Sequence, residues 1–352
     1  MSSSSVVTAR WRLDWPTSSG ARPASALLKV SPEDFRVTEY LSSDFEAPQV
    51  NKTGGGEHLC VRIEKTGDNT EYVARELAAL AGTKAFEVGF CGMKDRHAVT
   101  VQWFSLYRPG LESDDAGLLA AIAERWPVLA HCRHARKLRR GEHEHNGFEL
   151  VLREVRGERP HIDAALAELA ERGAPNYFGP QRFGLGGGNL DKAVNLDPTR
   201  LNRKRGGRRG GGGSASKNVL YFSAARSWLF NEVLAERVSA GNWFTPLPGE
   251  PADDGKPTGP LWGDGGTQAT EQQERLERSV VALHPEFEQL FSSTRMKPER
   301  RALVTRPDGL RWEWLDATTL QLQFLLPPGQ YATTVLGDVF ELQDMSLSRD
   351  NK

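Results

Sequence analysis

The period of the hydrophobic pattern changes twice along this chain, and that change limits the fold more than any other feature. A strand buries alternate residues, whereas a helix buries a stripe recurring every three or four. Early in the chain "LCVRI" sets Leu59, Val61 and Ile63 on one face, and "FEVGF" does the same with Phe86, Val88 and Phe90. "AVTVQWFSLY" and "FELVLREV" (Phe148, Leu150, Leu152) continue the alternation, which places Met93 to His97 in a strand-to-strand loop. One helix interrupts these strands: Val73, Leu77 and Leu80 recur at helical spacing between Thr70 and Ala81, and Gly82 stops it. From about Arg172 a mostly helical block takes over, and from Trp312 the period of two returns in "LQLQFLLPPGQY". The expected class is therefore α+β, one sheet domain carrying a helical insertion.

Within the insertion, Ser223 is expected to cap a helix with Phe230, Val233, Leu234 and Val238 on one stripe. Thr270 and Gln273 have the spacing of a capping box that opens another helix. Pro246 to Gly266, rich in Pro and Gly, reads as a long loop, and no internal repeat is visible.

At 352 residues the chain is long for one core and comfortable for two. The formal net charge of −1 says nothing about a partner, but its local distribution does. "CRHARKLRRG" holds Arg133, Arg136, Lys137, Arg139 and Arg140 with no acid. A second tract holds Arg200, Arg203, Lys204, Arg205, Arg208, Arg209 and Lys217, again with none. Two such clusters in a neutral chain point to a polyphosphate partner, since phosphates held by several cations release counterions. The second tract reads equally as an RNA contact or as a disordered loop.

Three separated cysteines (Cys60, Cys91, Cys132) argue against a disulfide framework and a thiolate zinc site, and they fit a reducing cytosol. Cys91 follows an apolar run and reads as a packed thiol. The opening "MSSSSVVTARWRLDWP" lacks an apolar core of signal-peptide length and is expected as a frayed tail; no segment approaches a membrane span. A cytoplasmic protein is expected. The glycine runs at 54–56, 186–188 and 210–213 match neither a P-loop nor a dinucleotide fingerprint. His131, His134, His143 and His145 cluster among arginines that would repel a cation, so no metal site is expected there.

In "CGMKDRHAVTVQW" Asp95 sits between Lys94 and Arg96 at a strand end. By default such a residue is a turn former or a surface ion pair. A strand end is, however, where a rigid scaffold presents reactive groups, and the two cations are expected to favour the ionised carboxylate.

"GMKDRHAVTVQWFS" together with "VSPEDFRVTE", "HNGFELVLREV", "PNYFGPQRFGLGGGNL" and "LPPGQYATTVL" resembles the tRNA pseudouridine synthase D family. The motifs lie in order from about Leu27 to Leu336. The resemblance implies a cofactor-free isomerase that converts uridine to pseudouridine, at position 13 of tRNA in bacterial members. It implies a pseudouridine-synthase-type mixed or antiparallel sheet domain split into 1–172 and 318–352, with an inserted, mostly helical RNA-cleft domain at 173–317. It makes Asp95 the nucleophile, with Lys94 in the same motif. Lys29 and Phe35, from "K-x-x-P-E-D-F", are expected at the active site. Asn146 would orient Asp95 or the base, Phe148 would pack against the uracil, and Arg182 and Phe183 would line the RNA cleft. Arg136, Lys137, Arg139, Arg140, Arg203, Lys204 and Arg205 are assigned to the RNA backbone. The partner implied is tRNA, with no membrane, no protein partner and a monomeric state. His145 stands where the family has Gly, and Gly337-Asp338 where it has Arg-Glu.

The residues leave open whether Asp95 attacks the ribose C1′, adds to uracil C6 or takes the 2′ proton. Two other functions stand beside the synthase: a non-catalytic RNA-binding protein or chaperone on the same fold, and a nucleoside or glycoside hydrolase.

Overall fold

The computed structural model describes residues 10–42, 45, 56–196, 212–251, 253–292, 294 and 296–348. Arg203, Lys204 and Arg205 lie outside the described residues. Backbone packing divides the chain into a sheet unit (23–163, 307–332, 340–352) and a helical unit (1–22, 164–306, 333–339).

The sheet unit is built on nine strands: β1 (Ala24–Leu28), β2 (Phe35–Tyr40), β3 (His58–Lys65), β4 (Val99–Tyr107), β5 (Val128–His134), β6 (His145–Arg156), β7 (Asp308–Trp314), β8 (Leu320–Leu326) and β9 (Phe340–Asp344). Their order is β7-β8-β6-β2-β4-β3-β5, and β1 pairs with both β6 and β9. β1 and β2 take successive stretches of the long β6: Phe35 lies opposite Leu150, and Leu27 opposite Arg153. Two pairings are parallel, β2 with β4 and β1 with β9. The sheet is thus mixed.

Helix α1 (Thr70–Leu80) starts where the Asn69 side chain accepts the Tyr72 N–H at 2.8 Å. Its buried stripe, Val73, Ala74, Leu77 and Ala78, packs on Leu59, Val61, Ile63, Phe104 and Leu106 together with Leu118 and Ile122 of helix α2 (Asp115–Ala123). Truncating Leu77 to Ala in such a core costs about 2–5 kcal/mol. "FEVGF" is not a strand, contrary to its alternation. Residues Ala85–Glu87 form a 3₁₀ turn, and Phe86 is 71% exposed. The Glu87 carboxylate accepts from Thr83 Oγ1 (2.6 Å) and the Lys84 N–H (2.8 Å), so a local side-chain bond curls the backbone before it can pair. Among the described residues its backbone pairs with β4 through an isolated bridge, Gly89 with Ser105.

In the helical unit, helix α3 (Gly212–Ser239) buries Phe230, Val233, Leu234 and Val238 as the stripe requires. Ser223 is not its cap. It lies inside the helix, and its carbonyl accepts the Ser227 hydroxyl at 2.7 Å, one turn along. Thr270 does precede helix α4 (Glu271–Val281), but the capping box is absent. Gln273 turns inward, accepting from Arg237 Nη1 (2.8 Å) and donating to Glu277 Oε1 (2.7 Å). Residues 246–266 are not all loop: Thr258–Leu261 pairs with Glu299–Ala302, anchored by the Thr258 N–H on buried Glu250 (2.5 Å).

The described part of the tail, from residue 10, is packed and not frayed. Trp11 stacks on Phe287 at 5.2 Å and donates its indole N–H to Asp191 (2.9 Å). Trp15 stacks on Tyr177 at 5.7 Å and donates to Glu232 (2.9 Å). Two large rings buried with their polar edges satisfied hold a segment that its composition alone would leave loose. At Gly337-Asp338 the buried Asp338 carboxylate accepts the Ser18 N–H (2.8 Å) and hydroxyl (2.5 Å), and Arg22 Nε donates to the Gly337 carbonyl (2.6 Å). No helix of the described residues is long and apolar enough to cross a membrane.

Candidate active site

Strand register gathers the site. Because β2 and β4 run parallel, with Arg36 beside Val99, both begin at the same end of the sheet. Asp95 lies just before β4. β1 and β9 are also parallel, with Leu28 beside Asp344, so Lys29 and Asp344 emerge together. After Lys29 the chain makes the 3₁₀ turn Pro32–Asp34 and enters β2 at Phe35. Buried Asp34 fixes this connection to β6, accepting the Ser31 N–H (2.9 Å) and Arg153 (2.7 Å to Nη2 and 2.9 Å to Nε). Lys29 itself has φ +55°, a left-handed conformation costing about 1–2 kcal/mol outside glycine.

That backbone delivers a buried ammonium. Lys29 Nζ is 2.6 Å from Asp95 Oδ2 and 3.1 Å from Asp344 Oδ2, and lies 4.8 Å from the Phe35 ring centre. The Lys29 side chain is 8% exposed and that of Asp95 36%, so the carboxylate faces solvent above a buried cation.

The turn carrying Asp95 is pinned on both sides. Gln102 Nε2 donates to the Gly92 carbonyl (2.6 Å), the Lys94 N–H donates to Thr70 Oγ1 (2.9 Å), and the Gly67 N–H donates to the Arg96 carbonyl (2.9 Å). Asp95 Oδ1 accepts the His97 N–H at 2.9 Å. Burial pushes the Asp95 carboxyl up, but the Lys29 hydrogen bond and charge, with the His97 N–H and ring, outweigh it and hold the group below its ordinary range. Asp95 is an ionised, oriented carboxylate.

The cation responsible is Lys29, not the flanking Lys94 and Arg96 that sequence proximity suggests. Lys94 Nζ points into the protein, 2.7 Å from Glu39 Oε2, both side chains being buried. Burial raises the Glu39 carboxyl, with Lys94 opposing. Arg96 Nε donates to the His97 ring at 3.1 Å. Lys94 therefore supports the turn from beneath.

Phe35, Val37 and Glu39 of β2 share a face with Leu150, Phe148 and Asn146 of β6. Phe148 stacks on Phe324 of β8 (5.3 Å, 23°) and meets Phe35 edge-on (6.2 Å, 81°), forming a three-ring aromatic cluster beside Lys29. Asn146 Nδ2 lies 3.1 Å from His143 Nε2, and its hydrogen bond therefore runs to His143 and not to Asp95. Its Oδ1 is buried with no hydrogen-bond partner. Burial, with Lys94 and His145 nearby, lowers His143 to about 4, so the ring is neutral at pH 7. Cys91 is a packed thiol, pushed up to about 12 by burial. Among the described residues no group of three or more His, Cys, Asp or Glu is placed to hold a metal ion.

Asp344 was not visible as a site residue in the sequence. Its local signal is "DMS": Asp344 Oδ1 accepts the Ser346 N–H (2.9 Å) and hydroxyl (2.6 Å), a self-contained Asx turn.

In the helical unit, Phe183 is fully buried against Trp15 (5.5 Å) and is a core residue with no ring face to offer RNA. Arg182 is half-buried, bonded to Ser223 Oγ and Ser227 Oγ (3.4 Å). In the first basic stretch, Arg133 is buried and clamps Asp115 (2.6 and 2.7 Å), which removes it from any RNA surface. Arg136 is exposed and paired with Glu142 (2.6 Å), and Lys137 donates to the Phe86 carbonyl (2.5 Å). Arg139 and Arg140 are exposed, the latter 4.1 Å over the Phe90 ring.

A family model described as tRNA pseudouridine synthase D matches residues 18–189. A tRNA pseudouridine synthase D of Marinobacter nauticus is 67% identical over 349 residues, covering 97% of this chain and 99% of that protein. One of Hydrogenovibrio crunogenus is 37% identical, covering 91% and 94%. Among solved structures, a candidate tRNA pseudouridine synthase D of Methanosarcina mazei superposes with a TM-score of 0.64 over 91% of this chain and 94% of that one, at 18% identity, a likeness of fold.

Proposed function

The chain belongs to the tRNA pseudouridine synthase D family, and on that footing we propose that it is an isomerase turning a uridine of tRNA, at position 13, into pseudouridine, with Asp95 as the reactive carboxylate. The observation that carries the assignment of Asp95 is its geometry: ionised by Lys29, more than a third exposed, and mounted on a turn pinned at Gly92, Lys94 and Arg96.

Moving uracil from N1 to C5 attachment needs the glycosidic bond broken and the base retained. An oriented carboxylate serves each route. If Asp95 attacks C1′, a C1′–O bond forms and the N1 electron pair leaves with uracil. If it adds to C6, the C5=C6 pair moves toward O4. If it takes the 2′ proton, the C–H pair becomes the C1′=C2′ bond as N1 departs. In every case the negative charge passes from Asp95 to the base. The base must leave its stack to reach Asp95, and the Phe35–Phe148–Phe324 cluster gives the extruded ring an apolar wall. Asn146, with its buried unpartnered oxygen, is suited to the uracil N3–H.

The tRNA body is held by exposed Arg139 and Arg140, with smaller shares from Arg136, Lys137 and Arg182. The helical insertion serves RNA binding, and the enzyme acts as a cytoplasmic monomer. The test is incubation with unmodified tRNA transcripts, followed by pseudouridine mapping and measurement of free uracil. Pseudouridine without free uracil is expected from the wild type. Asp95→Asn should lose activity by at least about 10³-fold while tRNA affinity stays within about threefold. Free uracil would identify a hydrolase, and binding without either product a non-catalytic RNA-binding protein.

A further inference from the structure

We propose that Asp344 is a positioning residue for this reaction: it keeps a carboxylate on the Lys29 ammonium while Asp95 gives up its charge to the nucleotide. The inference rests on the synthase reading above and adds a residue to it.

Lys29 contacts two carboxylates that differ in what else holds them. Asp95 is the more exposed of the two, 36% against 24%, and its remaining oxygen is held by a single backbone N–H. Asp344 has its remaining oxygen held twice, by the Ser346 N–H and hydroxyl, at the end of a strand in register with the residue before Lys29. One carboxylate is anchored, and the other is presented.

All three routes consume the charge of Asp95, as an ester to carbon or as a protonated acid. Lys29, 8% exposed, then loses its closest counter-charge at the moment the intermediate forms. A buried cation stripped of a carboxylate is costly. Asp344 at 3.1 Å takes no part in the bond changes and keeps the ammonium paired. It also divides the attraction of Lys29, so that Asp95 Oδ2 is free to leave the pair for carbon or hydrogen. With Asp344 neutralised, Lys29 binds Asp95 more tightly in the ground state and is less well compensated in the intermediate, and both effects slow chemistry.

The experiment is single-turnover pseudouridine formation by the full chain with saturating unmodified tRNA, alongside tRNA affinity and thermal melting. Asp344→Asn should slow the rate by about 10- to 100-fold, leave affinity within about twofold, and shift melting by only a few degrees. Asp344→Glu should recover most of the rate. Because Asp344 acts through Lys29, the double variant Lys29→Met/Asp344→Asn should be no slower than Lys29→Met alone. A wild-type rate for folded Asp344→Asn, or losses that multiply in the double variant as two independent structural defects would, overturns the proposal. Should the Asn variant not fold, Asp344→Ser, which drops the charge and keeps a polar group for Ser346, is judged by the same criteria. Wild-type protein that forms no pseudouridine in any tRNA instead overturns the synthase reading on which this one stands.

Discussion

Lys29 Nζ and Asp95 Oδ2 meet at 2.6 Å across 66 residues of sequence, and this contact, with the charge behind it, keeps the carboxylate ionised against its own burial. The direction of its effect is testable. Removing the cation in Lys29→Met leaves burial with less to oppose it, so the Asp95 pKa rises. The ionised form is then lost at higher pH on acidification. The acid limb of the single-turnover rate should move upward, with a smaller rate at the plateau. An acid limb that stays in place would show that another group sets it.

Lys94 belongs to the same motif as Asp95 but does a different job. Its ammonium is buried on Glu39 at 2.7 Å, and its backbone N–H is held by Thr70. Lys94→Met leaves the Glu39 carboxyl buried without its partner, which should cost about 3–5 kcal/mol of stability. Replacing both, as Lys94→Met/Glu39→Leu, should return much of that loss, since a buried pair exchanged for apolar groups is often near neutral. Urea melts of the single and double variants check this. A double variant as unstable as the single would mean that Lys94 holds the turn by something other than its charge.

The sequence made the regular elements legible wherever local pattern and tertiary need coincide. Leu59, Val61 and Ile63 on β3, and Val73 and Leu77 on α1, are buried as their spacing requires. It was silent where distant segments decide. Nothing near Asp344 announces that a parallel pairing will set it beside Lys29, 315 residues away. Adjacent side chains mislead for a related reason: Lys94 and Asp95 leave a tight turn in different directions, so neighbours in sequence need not be partners in space. "FEVGF" failed because alternation over a few residues is a weak signal against Glu87 closing its own turn. Ser223 failed because α3 begins within the glycine-rich stretch at Gly212, where intrinsic propensity gives no hint of a helix. Phe183 and Arg133 show the same limit: a motif resemblance in one case and a basic stretch in the other suggest RNA contact, and packing reveals that both are interior.

His143 links the site to the acid stability of the fold. Burial first, then the charges of Lys94 and His145, lower its pKa to about 4 from an ordinary 6.5. The unfolded chain therefore takes up this proton more readily than the folded one. The stability involved is fully present above pH 6.5 and is lost as pH falls through 4, up to roughly 3 kcal/mol. His143→Gln, which still offers Asn146 a polar partner, should flatten the fall in stability between pH 6.5 and 4 relative to the parent. Denaturant midpoints at pH 7 and pH 4.5 measure the difference, and equal slopes in parent and variant would exclude His143 as the titrating group.

The exposed arginines differ in how free they are to meet phosphate, and the difference predicts a ranking. Arg136 is engaged by Glu142 at 2.6 Å, while Arg140 lies over the Phe90 ring at 4.1 Å with its charge still exposed. A guanidinium on an aromatic face keeps its capacity for a phosphate, whereas one paired to a carboxylate must first break that pair. Arg139→Gln and Arg140→Gln should therefore each weaken tRNA binding and flatten the dependence of log affinity on log salt by about 0.7–0.9. Arg136→Gln should do less. The rate of conversion of bound tRNA should be unchanged in all three, because none of these residues is within the Asp95–Lys29–Asp344 cluster. Binding titrations across a salt series test the order, and an Arg136 variant with the largest slope change would contradict it.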